Sequence, residues 1–239
     1  MQPYFFPYLG YFDLIYNSDV WIVFDTPQYV KEGWMNRNRI LHPAEGWRYV
    51  TAPVAKAPRS TPINQIRING RTDWRERILR SLGDYRKHAP FFNLVLPLVE
   101  ECLYRDTDFL SDINLFALHR TCEFLDIPFE HCVFSDFSGC QWAKDDVDQQ
   151  TIRKTSDWAL QITKALGADV LINPPGGRGL YDPQEFREHG IELMIREFPT
   201  FTYSTGPYVF EPNLSIIDVL MWNSVEEVRA YLERVRIRW

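Results

Sequence analysis

The segment Gly33 to Ile40, GWMNRNRI, sets two arginines and two asparagines at alternating positions. In an extended chain Asn36 shares a side with Asn38, and Arg37 shares the other with Arg39. A guanidinium fork matches phosphate or carboxylate, and a neighbouring carboxamide can orient a hydroxyl or carbonyl, so this is an anion-reading pattern. Its plainer reading is a solvated turn with local hydrogen bonds. A second candidate is Asn173 to Asp182, NPPGGRGLYD, after an apolar run and before a helix signal. Gly176 and Gly177 could turn their N–H groups toward an oxyanion there, or could serve a tight turn alone. The run fits neither dinucleotide nor nucleoside-triphosphate fingerprints. A third is Asp218, the single charge in LSIIDVLMW. If buried, it needs a cation or backbone donors, or takes up a proton; otherwise it faces water. Asp25, at the end of an apolar strand, and His42, just past the arginines, are the candidate general bases, since imidazole titrates near neutrality. The other histidines have no partner that suggests a role.

The elements that must position these groups follow from periodicity. Val20–Phe24, VWIVF, reads as a buried strand that delivers Asp25 at its end. Short strands are expected at Tyr49–Val54 and Ile63–Ile68, with a proline-rich loop between them. Helical spacing then takes over: Trp74, Ile78 and Leu82 follow Thr72 and Asp73, and apolar-periodic stretches run over Phe91–Tyr104 and Ile113–Leu125. Cys132–Phe134 is a further short strand, followed by a polar connection at 135–150. A helix over Trp158–Leu166, Gly167 and a strand at Asp169–Asn173 resemble half of a parallel α/β unit. Asp182 caps a short helix to about Glu188, Ile191–Ile195 is another strand, and Ser224-Val225-Glu226-Glu227 opens a last amphipathic helix. The fold class is therefore α/β or α+β, with a mixed sheet, flanking helices and a mostly helical subregion around 72–127 within a single domain, 1–239.

Composition narrows the function classes. With 239 residues, 45% hydrophobic and 24% charged, the chain can bury a core without metal or disulfide. Its four cysteines show no CxxC pair and no zinc-type spacing with histidine, and are expected as reduced packing residues. A net charge of −6 argues against a nucleic-acid partner. No run approaches the roughly 20 apolar residues of a membrane span, and no secretory signal is legible, so a cytoplasmic protein is expected. No metal or cofactor is expected either.

QPYFFPYLGYF at the start, the strand ending in Asp25, W-x-NRNRI, GG-x-x-LYD and F-x-P-x-LSIIDVLM together resemble the WbqC-like family, nearly end to end. The resemblance implies a bacterial cytoplasmic protein of O-antigen or other surface-polysaccharide and glycoconjugate pathways. It implies a transferase on an activated, nucleotide-linked sugar, moving an acyl or aminoacyl group. The alternative is a non-catalytic module that binds a nucleotide sugar or a carrier. In either case the ligand is a small or carrier-linked molecule bearing phosphate or carboxylate. Gln2, Tyr4, Tyr8, Asn36, Arg37, Asn38, Arg39, Gly176, Gly177, Tyr181, Asp182 and Asp218 are its expected binding residues, with the two tyrosines walling a cleft into which Gln2 projects. Phe5, Phe6 and Phe12 are expected in the core. The chain departs from the family pattern in two places. A short strand is expected before Gln2, so either that strand is missing or the native start lies upstream of Met1; and Asn173-Pro174-Pro175 replaces a more flexible run.

Overall fold

The computed structural model describes residues 1–136, 147, 152 and 155–238. Among them, helices and short strands combine in an α/β arrangement, with α1 at Leu9–Tyr16, α2 at Trp74–Leu82, α3 at Phe92–Leu103, α4 at Leu110–Phe124, α5 at Thr155–Ala165, α6 at Pro183–Arg187, α7 at Ile216–Trp222 and α8 at Val225–Val235. The strands are β1 (Trp21–Val23), β2 (Arg37–Leu41), β3 (Trp47–Thr51), β4 (His131–Val133), β5 (Val170–Asn173) and β6 (Glu192–Ile195). Among the described residues they form three two-stranded sheets and no continuous mixed sheet: β1 with β4 and β5 with β6 are parallel, and β2 with β3 is antiparallel.

Local sequence explains most of these elements. Trp74, Ile78 and Leu82 bury one face of α2, and the Ser224 capping box starts α8. Gly167 ends α5 in the left-handed region, at φ 63°. Ile63–Gln65 forms a single 3-10 turn where a strand is expected, because Pro62 precedes it and the Ile63 N–H is taken by Pro27 O at 2.9 Å. Beyond it, Arg67 and Ile68 make only isolated bridges, to Phe109 and Val54. The NRNR segment, in contrast, is a regular strand, β2. Most of the polar connection at 135–150, with Cys140, lies outside the described residues.

One large core joins both ends of the chain. It holds Phe5, Phe6 and Phe12 beside Trp74, Leu118 and the whole of α7. Two smaller clusters centre on Phe134, Val147 and Ile162 and on Leu160, Phe186 and Ile191. Cys102 and Cys122 are buried free thiols; burial pushes the Cys102 thiol up to about 12 and raises that of Cys122 further. Cys132 is disulfide-bonded, which corrects the expectation of four reduced cysteines.

Candidate functional site

Three distant segments are knitted together through backbone carbonyls. Met1 runs beside β1, its carbonyl accepting Phe24 N–H at 2.8 Å, and the chain then turns through Pro3–Pro7. Asn38 Nδ2 donates to Phe5 O at 3.1 Å and Phe6 O at 2.9 Å, and Ser215 Oγ donates to Phe6 O at 2.7 Å. Asn114 Nδ2 donates to Pro3 O and Met35 O. Held this way, Phe6 keeps a left-handed φ of 41°, a strained conformation for an aromatic residue. Ser215 N–H donates to Arg39 O and Ile216 N–H to Pro7 O, each at 2.8 Å, so the start of α7 closes the assembly.

Where the three segments meet lies a cleft of about 330 Å³ lined by Tyr4, Pro7, Tyr8, Trp34, Asn38, Arg39 and Asn213. Desolvation raises the phenols of Tyr4 and Tyr8, and Asp13 raises Tyr8 further, so both remain neutral hydroxyls that can donate and accept. The Arg39 guanidinium lies over the Trp34 ring at 5.4 Å and the Trp47 ring at 5.1 Å. Its Nη2 donates to Asn213 O at 3.3 Å, while its buried Nε has no partner. A buried unpaired donor on a fixed cation is unfavourable by roughly 1–3 kcal/mol unless a ligand satisfies it. Aromatic walls, neutral phenols and a guanidinium can together hold a ring with an attached anion.

Of the expected residues, Tyr4, Tyr8, Asn38 and Arg39 line this cleft. The others are placed as follows. Asn36 is structural, with its Oδ1 accepting from Tyr29 OH and its Nδ2 donating to Ala52 O. Arg37 stacks over Tyr49 at 4.2 Å on the hairpin formed by β2 and β3. Gln2 offers its carbonyl to Tyr11 OH, and its side chain is not among the cleft lining. His42 lies just past β2, where its Nδ1 accepts the Ala44 N–H at 3.3 Å. Asp25 follows β1, and its buried carboxylate accepts from Ser135 Oγ at 2.6 Å and Ser135 N–H at 3.0 Å. Desolvation raises it, against the Ser135 hydrogen bonds.

The diglycine turn is engaged by its immediate neighbours. Gly176 and Gly177 are outside the left-handed region, and Gly177 N–H is taken by Pro174 O at 2.9 Å. A Cβ at Gly177 would meet Asn173 Oδ1 at 2.3 Å and the Tyr181 ring at 2.8 Å. Asn173 Nδ2 donates to Tyr181 OH at 3.2 Å, and Asp182 caps α6 by accepting Gln184 N–H at 2.9 Å. Gly176, Gly177, Tyr181 and Asp182 are absent from the cleft lining.

Asp218 is fully buried, because every residue of α7 is. It accepts from Tyr85 OH, Tyr203 OH and Leu41 N–H, which fastens the end of β2 to α7. Desolvation outweighs these bonds and raises its carboxyl to about 6. Tyr203 also lines a hollow of about 10 Å³ that shares Tyr8 and Asn213 with the cleft.

Sequence reasoning missed Pro7, Trp34 and Asn213 as cleft residues, and the buried ion pair of Asp13 with Arg196. Asn213 falls on an unspecified position of F-x-P-x-LSIIDVLM, and it adopts a left-handed φ of 55°, a conformation asparagine visits more readily than most residues. Among the described residues no group of three His, Cys, Asp or Glu side chains is placed to hold a metal ion, and no helix is long and apolar enough to cross a membrane.

The WbqC-like protein family matches residues 2–230 of the chain. An uncharacterized protein of Mycobacterium tuberculosis, Rv1507c, is 29% identical over 239 residues, 99% of this chain and 97% of that protein. No solved structure matches the chain.

Proposed function

The chain belongs to the WbqC-like protein family, membership that suggests a role in polysaccharide-related biosynthesis, and on that premise we propose that it is a transferase acting on an activated, nucleotide-linked sugar. The observation that carries this reading is the cleft, whose lining Tyr4, Tyr8 and Trp34 share with a guanidinium that has an unpartnered Nε. The rings stack on the sugar, Arg39 holds its phosphate, and the phenols fix its hydroxyls. The transferred group is acyl or aminoacyl. An amine or hydroxyl of the sugar attacks the acyl carbonyl, a C–N or C–O bond forms, and the bond to the carrier breaks with its electron pair leaving on the carrier. The acceptor's proton passes to a base, for which Asp25 and His42 are the candidates.

Neither candidate base lines the cleft, and this favours the second reading, a non-catalytic module that presents a nucleotide sugar to another enzyme. A thermal-shift screen of sugar nucleotides and acyl carriers tests the binding step. A ligand at a hundredfold its Kd adds about 2.7 kcal/mol, which for a chain of this size raises Tm by roughly 5–10 °C. Arg39→Ala should abolish that shift. If no sugar nucleotide raises Tm, both readings fail. If one does and a competent donor turns over, loss of turnover in Asp25→Asn or His42→Gln identifies the base. Binding with no turnover leaves the module.

A further inference from the structure

We propose that the outward face of the β2–β3 hairpin is a second binding site, for an acidic oligosaccharide whose sugar rings carry carboxylates, and that it continues the cleft through Arg39 and Trp34. The proposal rests on the reading of the cleft as a sugar site. The pairing of Arg37 with Thr51, Arg39 with Tyr49 and Leu41 with Trp47 puts Arg37, Arg39, Trp47 and Tyr49 on one side of the hairpin. On the other side, Asn38, Ile40 and Val50 are buried.

The outward side chains form an unbroken ladder. Arg39 lies between the Trp34 and Trp47 rings, Trp47 meets Tyr49 edge-on at 4.9 Å, and Arg37 covers Tyr49 at 4.2 Å. Trp34, Trp47 and Tyr49 nevertheless remain 40%, 39% and 40% exposed. Three large rings open to water, two on this small hairpin and one just before it, are unfavourable for a free protein and are the mark of a binding surface. The charge of the ladder identifies the occupant. Arg37 and Arg39 donate only to backbone carbonyls, of Glu32 and Asn213, and have no carboxylate partner among the described residues. Both bury an Nε with no partner. Two uncompensated cations in a chain of net charge −6 call for an anion at this place, while the same net charge works against a long polyanion such as nucleic acid. Alternating rings and forks fit a ligand that alternates flat sugar faces with carboxylates.

Calorimetry with a hexasaccharide of alternating glucuronate and N-acetylglucosamine, against neutral chitohexaose, tests this. The acidic chain should bind, more weakly as salt rises, and the neutral chain at least about tenfold more weakly. Tyr49→Ala should weaken binding about fivefold to tenfold while the Tm shift with a sugar nucleotide is kept, and Trp47→Ala should weaken binding of the acidic chain by a similar factor. Tyr49→Phe, which keeps the ring, should bind normally, and Arg37→Gln should remove the preference for the acidic chain. Variant melting curves show whether the fold is intact; should Trp47→Ala unfold, Arg37→Gln and Tyr49→Phe still decide. No binding of the acidic hexasaccharide, equal binding of chitohexaose, or indifference to Tyr49→Ala would each overturn the proposal. Acidic-chain binding that depends on Tyr49, in a protein that no sugar nucleotide stabilises, would keep this site and remove the cleft reading.

Discussion

Asp218 carries a carboxyl raised to about 6 inside α7, where two tyrosine hydroxyls and one backbone N–H replace its water. Its folded value lies above its unfolded value of 3.8, so the native state binds the proton more tightly than the unfolded chain does. The resulting stabilisation is complete below about pH 3.8 and is lost as pH rises through about 6. The wild-type stability, measured by urea denaturation relative to Asp218→Asn, should therefore fall by on the order of 3 kcal/mol between pH 4 and pH 7. A pH-independent difference would mean that the buried carboxyl keeps an ordinary affinity for protons. The sequence left open whether Asp218 faced water or core; the complete burial of α7 decides for the core. Its tyrosine donors, Tyr85 and Tyr203, were not legible, because nothing in the sequence near position 218 points to partners 133 and 15 residues away.

At the scale of elements, the helices were legible and the hairpin was half so. Trp74, Ile78 and Leu82, or Ser224 with Glu227, declare a helix because the spacing and the cap are local. Tyr49–Val54 was expected as a strand and β3 covers Trp47–Thr51, but β2 was recognised only as an alternating segment. Its outward residues are arginines, so the usual apolar signature of a strand is missing. The diglycine is ambiguous for a related reason: Asn173 and Tyr181 approach Gly177 closely, and a space-making glycine looks the same in sequence as an anion-binding one. The Pro3–Pro7 turn depends on Asn38, whose one amide holds two buried carbonyls. Asn38→Ala should lower stability by about 2 kcal/mol and, by releasing Phe6 from its strained φ, weaken ligand binding at the cleft. Chemical denaturation and a binding titration on the same protein would check both; unchanged affinity would mean that the turn holds its shape without the amide.

For the whole molecule, the large core and the smaller cluster around Leu160, Phe186 and Ile191 are joined by a buried ion pair. Arg196, following β6, grips Asp13 of α1 at 2.8 and 3.1 Å and donates to Val235 O at 2.5 Å, beside the end of α8. Removing Asp13 leaves the part-buried Arg196 without its counter-charge, so Asp13→Ala should lower stability by roughly 1–3 kcal/mol, less than for a fully buried pair. Amide exchange should then accelerate first in β5 and β6, whose own cluster is small, and last in α3 and α4. Uniform acceleration across the chain would show that the two regions unfold as one. Neither Asp13 nor Arg196 had a sequence signal, since they lie 183 residues apart.

The cleft takes its walls from Tyr4, Arg39 and Asn213, and Ser215 is hydrogen-bonded to both Phe6 and Arg39. A nascent chain leaves the ribosome amino end first, so the aromatic opening and the hairpin emerge long before their last wall exists. Until position 215 is free of the exit tunnel, Phe6 lacks one of its two side-chain donors and Arg39 lacks its Asn213 acceptor. A small molecule that fits the finished cleft therefore meets an incomplete site until Asn213 and Ser215 have emerged, and can rescue a weakened variant only from that point on.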